Sequence, residues 1–169
     1  MTLPPEFDSP IERDRPISPS AVAQGFEIGT DGVSAVVVGF DGTDPSRDAL
    51  AFAAGVARRN GGRLIVVYVI HPGVMTGMSP QAAGVVHSSA IEESENLRAE
   101  IVPMLAGLGV HPGFVVREGD VAREIETVAA AEHADAIVVG RSASRAHAVM
   151  GSVALALVKH AQRPVCVVP

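Results

Sequence analysis

Two stretches of this chain carry residue types suited to holding an anion or a polar ligand. In the first, the apolar run Val36-Val37-Val38 ends in Gly39-Phe40-Asp41-Gly42-Thr43-Asp44, which puts a carboxylate directly after a strand. Asp41 can accept a hydrogen bond from a ligand's amino or hydroxyl group; the competing reading is turn chemistry, because Asp-Gly is a common turn pair. In the second, Ile137-Val138-Val139-Gly140 passes through the loop Arg141-Ser142-Ala143-Ser144-Arg145-Ala146-His147 to Gly151-Ser152-Val153, where helical spacing begins. A helix start offers unpaired backbone N–H groups and a partial positive charge, and glycine lets a phosphate approach the main chain. The Ser152 hydroxyl and the N–H groups of Ser152 and Val153 suit one phosphate, with Ser142 and Arg145 placed to add contacts. A glycine after a strand also serves plain turning, so this pattern alone leaves the two readings level.

The elements that must position these residues follow from hydrophobic periodicity. Short Val/Ile runs at 34–40, 63–70, 113–117, 136–139 and 164–168 predict five strands, two of them nearly continuous in apolar residues and therefore covered on both faces. Four helical patterns lie between them. The first opens at Asp44-Pro45 and closes at Asn60-Gly61-Gly62, with Ala49, Phe52, Ala53 and Val56 on its inner face. The second is expected from about Ser89 to Leu108, with Leu97, Ile101, Met104, Leu105 and Leu108 inward and Pro103 as a kink. The third follows the cap Asp120 and buries Val121, Ile125, Val128 and Ala129; the fourth begins near Gly151 and buries Ala154, Leu157, Val158 and Ala161. The connection His71 to His87 reads as an unusually long loop, a lid or an oligomer contact.

Strict β-α alternation with right-handed crossovers predicts an open parallel sheet with helices on both faces. Ligands of such sheets bind where the strand order reverses. Orders 2-1-3-4-5 and 3-2-1-4-5 both fit five strands, and only the second sets Asp41 and Gly140 across one crevice.

Composition narrows the function classes. The chain has 169 residues, 47% hydrophobic but only 4% aromatic with no Trp, so its core is aliphatic. A net charge of −6 argues against a nucleic-acid-binding face. No apolar run reaches the ~20 residues of a membrane span, and no secretory signal pattern opens the chain, so the expectation is a cytoplasmic protein. Cys166 lies in an apolar run and reads as a buried reduced thiol. Residues 1–31, proline-rich and without apolar periodicity, read as a flexible N-terminal arm ahead of a domain at 32–169. The six histidines lack metal-ligand spacing, and neither a G-x4-G-K-[ST] loop nor a G-x-S-x-G elbow is present, so no catalytic residue is assigned.

Taken together, Val37-Val38-Gly39-Phe40-Asp41-Gly42-Thr43 with Ser46, Gly119-Asp120-Val121-Ala122-Arg123-Glu124-Ile125, Ala134 to Gly140, Gly151-Ser152-Val153 and His160 to Pro169 resemble the universal stress protein family. The resemblance covers about Val33 to Pro169. It implies a Rossmann-like sheet of the adenine-nucleotide α-hydrolase type in the order 3-2-1-4-5, a homodimer formed through the last strand, and in many members a bound ATP or related adenine nucleotide, with Mg as the ion that would accompany it. It further implies that Asp41 contacts the adenine or ribose, that a backbone group of Val69 reads the adenine, and that the phosphates rest on a G-x2-G-x9-G-[ST] pattern. Here Gly140 and Gly151-Ser152 match that pattern, but Ala143 replaces its second glycine and seven residues stand where nine are usual. The shorter loop removes up to ~7 Å of reach. The alternative is a dimeric interaction module of the same fold that binds no nucleotide.

Overall fold

The computed structural model describes residues 35–71, 77–141 and 153–169. The arm expected at 1–31 lies outside them. The elements alternate as β1 (Ala35–Gly39), α1 (Asp44–Asn60), β2 (Arg63–Ile70), α2 (Pro80–Gly107), β3 (His111–Glu118), α3 (Val121–Ala131), β4 (Ala136–Gly140), α4 (Val153–His160) and β5 (Val165–Val168). The five strands form one parallel sheet in the order β3-β2-β1-β4-β5, which selects the second of the two orders the sequence allowed.

Strand alternation divides the core into two layers. Val36 and Val38 of β1, Phe40 just after it, and Leu64, Val66 and Tyr68 of β2 face α1 and α2. Ala35 and Val37, with Ile65 and Val67, face α3 and α4. Both central strands are therefore buried on two faces, as their unbroken apolar runs require.

The two ends of α1 and the start of α2 have local causes. Thr43, not Asp44, is the N-cap of α1; it makes no side-chain cap bond, and Pro45 lies in the first turn. Gly61 ends the helix at φ 64°, a left-handed conformation that glycine adopts cheaply, with Gly62 N–H donating to the Ala57 carbonyl at 2.9 Å. Ser79 Oγ accepts from Ala82 N–H at 3.3 Å and Pro80 opens α2, which starts about nine residues before the expected Ser89 and continues through Pro103 to Gly107. The long connection from His71 to His87 is thus helical from Pro80 onward. Residues 80–88 carry no helical hydrophobic period because apolar side chains such as Val85, 67% exposed, do not face the core.

Several side chains read as inward point out. On α1 the buried face is Ser46, Ala49, Leu50, Ala53, Ala54 and Ala57, while Phe52 is exposed. Alanines let the helix axis approach the sheet, and a phenylalanine on that face would hold it away. Met104, Leu108 and Val158 are likewise exposed, and Cys166 is half-buried on an edge strand instead of buried. Leu97, Ile101, Leu105, Ile125, Val128, Ala129, Ala154 and Leu157 are buried as expected.

Candidate functional site

The crevice forms where β1 and β4 part. They pair from Val36↔Ala136 to Val38↔Val138. β1 then turns into α1, whereas β4 stays with β5 through Gly140↔Val168 and a 2.7 Å bond from Arg141 N–H to the Val168 carbonyl. Strand order reverses at this point, the usual ligand position in an open α/β sheet.

Asp41 sits on one wall and its first task is local. Its Oδ1 accepts from Thr43 N–H at 3.1 Å and from Thr43 Oγ1 at 2.6 Å, a turn closed by Gly42 at φ 80°. The turn reading of Asp41 is therefore realised, but it occupies one oxygen; Oδ2 takes no hydrogen bond from the described residues. Asp41 N–H donates to Ser46 Oγ at 3.4 Å, and that hydroxyl donates to the Thr43 carbonyl at 2.8 Å, which fastens the turn to the first turn of α1.

Gly140 stands on the other wall. A Cβ there would collide with the Pro45 carbonyl and lie 2.9 Å from Ser46 N. The first turn of α1 thus touches both walls, at Asp41 through Ser46 Oγ and at Gly140 through its backbone. Packing alone requires glycine at 140, whatever it does for a ligand.

Val69 lies on the third side. The β1–β2 ladder ends with Phe40 N–H donating to the Val67 carbonyl at 2.9 Å. Alternating backbone groups in a parallel strand point the same way every second residue, so the Val69 N–H and carbonyl also point toward β1, beyond its end. On the β3 side Ile70 accepts from Gly119 N–H at 3.1 Å.

Of the residues expected at the site, Asp41, Val69 and Gly140 come to the same end of the sheet. Val153 is the first residue of α4 and is half-buried. Ser142, Arg145, Gly151 and Ser152 lie outside the described residues.

Sequence reasoning missed Tyr68 and Glu93. The Tyr68 hydroxyl, beneath α2, donates to Glu93 Oε2 at 3.3 Å. Burial raises its pKa above the ordinary phenol value, the Glu93 charge and hydrogen bond add to the effect, and Asp41 contributes from the crevice wall. Tyr68 lies on the face of β2 opposite Val69, and nothing in the sequence announced a carboxylate 25 residues further along. Arg47 fixes the outer rim: its Nε donates to the Gly42 carbonyl at 3.2 Å, its Nη1 pairs with Glu100 at 2.9 Å, and its guanidinium lies 5.9 Å from the Phe40 ring centroid. Among the described residues no group of three or more His, Cys, Asp or Glu is placed to hold a metal ion.

Comparison with known proteins agrees with this geometry. A universal stress protein of Methanocaldococcus jannaschii is 28% identical over 136 residues, covering 79% of this chain and 80% of that protein. The crystal structure of a universal stress family protein from Burkholderia pseudomallei superposes with a TM-score of 0.68 at 28% identity, covering 82% of this chain and 98% of the other. A universal stress protein from Archaeoglobus fulgidus, solved in complex with dAMP, shares the fold with a TM-score of 0.61 at 24% identity, covering 80% of this chain and 98% of its own. The sequence profile of the universal stress protein family matches residues 33–169, the whole of the sheet, its helices and both walls of the crevice. On that match the chain belongs to the universal stress protein family.

Proposed function

We propose that this protein is a non-catalytic stress-response regulator that binds ATP or a related adenine nucleotide in the crevice between β1 and β4. The observation that carries this reading is the set of polar groups at one end of the sheet that take no partner among the described residues: Asp41 Oδ2 on one side and the Val69 main chain beyond the end of β1 on another. A carboxylate oxygen paired with a peptide N–H and carbonyl matches the amino and ring-nitrogen pattern of an adenine, or its ribose hydroxyls. In this reading Gly140, Ser142, Arg145, Gly151, Ser152 and Val153 hold the phosphates, with Mg as companion ion. The Archaeoglobus fulgidus relative with bound dAMP supports an adenine ligand, and a monophosphate suits the shortened Gly140–Gly151 loop. Residues 32–169 are the binding domain of a cytoplasmic protein and 1–31 an appended arm.

Denaturing the purified protein and separating the supernatant by chromatography tests this directly. An adenine nucleotide is expected in it, and ATP, AMP or cyclic AMP should raise the melting temperature. No released nucleotide and no shift with any of the three would overturn the proposal. Gly151→Val should abolish the shift without unfolding the protein.

A second reading, a dimeric interaction module without nucleotide, is favoured by Ala143 and by the sheet edge at β5, where Val167 is 40% exposed. Homodimerisation through β5 belongs to both readings. Val167→Lys is expected to yield monomers in analytical ultracentrifugation; a wild type that is monomeric removes the dimer from both.

A further inference from the structure

Arg47 grips the turn that carries Asp41 at three points. Its main-chain N–H donates to the Thr43 carbonyl at 2.9 Å, its Nε donates to the Gly42 carbonyl at 3.2 Å, and its guanidinium lies 5.9 Å from the Phe40 ring centroid. The same guanidinium reaches away from the turn to α2, where Nη1 pairs with Glu100 Oε1 at 2.9 Å. Leu97, three residues before Glu100 and so on the same face of α2, lies against the outside of the turn: a Cβ on Gly42 would stand 3.5 Å from both of its methyl groups. α2 therefore meets the Asp41 turn twice, by direct packing and through Arg47.

Overall stability does not explain this arrangement. Arg47 and Glu100 keep 43% and 53% of their side-chain surface in water, and exposed ion pairs contribute little to folding. Yet a long side chain gives up its rotamer freedom to span two acceptors on different elements. Its effect is local. With the Gly42 and Thr43 carbonyls held, the Thr43 N–H and hydroxyl stay on Asp41 Oδ1, at 3.1 and 2.6 Å, and the second carboxylate oxygen is left in one orientation.

We propose that Arg47 is a positioning residue for Asp41: by bridging Gly42 and Glu100 it lets α2 set the aim of Asp41 Oδ2 at the ligand. This role at the ligand rests on the adenine nucleotide reading, whereas the bridge itself does not. Lysine cannot take its place, because an ammonium lacks the planar fork that holds two acceptors in fixed directions.

The test is ¹⁵N relaxation of the labelled full chain beside calorimetric titration with adenosine and with AMP. Adenosine is uncharged, so the loss of a cation from the rim does not by itself weaken its binding. In Arg47→Met the backbone order parameters of Gly42 and Thr43 should fall from the rigid value of about 0.85 toward about 0.6. Adenosine and AMP should both bind about fivefold more weakly. Arg47→Lys should behave like Arg47→Met, and Glu100→Ala should add nothing to the affinity loss of Arg47→Met when the two are combined. Unchanged order parameters in Arg47→Met, a loss seen with AMP but not with adenosine, or full recovery in Arg47→Lys would each overturn the proposal. If the turn loosens in Arg47→Met but the wild type binds neither compound, the nucleotide reading falls and Arg47 stands as the residue that orders Asp41.

Discussion

The backbone of Pro45 occupies the space where Gly140 would carry a side chain, so the end of β4 and the first turn of α1 are in direct contact across the crevice. Gly140→Ala should therefore destabilise the ligand-free protein by about 2 kcal/mol or more, since overpacking against backbone has no flexible group to yield. Urea unfolding without nucleotide checks this. A glycine needed only for phosphate approach would leave that curve unmoved.

Asp41 has two separable duties. Asp41→Asn keeps an acceptor for Thr43 N–H and Thr43 Oγ1, so stability should change by less than about 0.5 kcal/mol, while adenine nucleotide affinity falls about tenfold. Asp41→Ala loses the turn as well and should cost about 1 kcal/mol. Calorimetric titration beside thermal unfolding of both variants distinguishes the duties.

Tyr68 is the chain's single tyrosine, so its titration can be read from the phenolate absorbance without overlap. Its midpoint should lie above the ordinary value of about 10, because burial and then Glu93 disfavour the phenolate. A raised folded-state pKa keeps the proton on in the native protein. The stability it contributes is complete below pH about 10 and is lost as pH rises through the folded value. Tyr68→Phe should remove that part of the alkaline decline; a titration at the ordinary midpoint would contradict the Tyr68–Glu93 pairing.

Arg163 and Glu126 pair at 2.7 Å with only about a quarter of each side chain exposed. Arg163→Met strands the carboxylate and should cost roughly 1–3 kcal/mol, less than a fully buried pair because of the remaining solvent contact. Arg163→Met combined with Glu126→Leu should recover most of that loss. Denaturant midpoints of the two variants and the wild type provide the comparison.

The five strands were legible because the apolar runs at 36–40 and 64–70 are unbroken and the caps at Asp120 and Gly61 are local signals, whereas those runs fit two strand orders and only the family resemblance implied the observed one. The α1 face was misread because size was taken for burial: Phe52 lies outside, and the alanines that look least informative line the sheet. The start of α2 was missed although Ser79-Pro80 is a cap followed by proline, because the turns after it have no core to face. At the site, Asp41 and Gly140 could be marked from their positions after strands. The reason Gly140 must be glycine could not, since it depends on a helix turn nearly a hundred positions earlier in the chain.

The end of the β1–β2 ladder has a consequence for how this family can diverge. What position 69 offers past the last β1 bond is a peptide N–H and a peptide carbonyl, and every amino acid except proline supplies both. If the Val69 main chain makes the proposed nucleotide contact, selection on it leaves the side chain free to drift, and a saturation scan at 69 registers only the packing of the side chain and the loss on proline. A recognition element written in the main chain is invisible to residue comparison, and its persistence is a matter of where β1 stops.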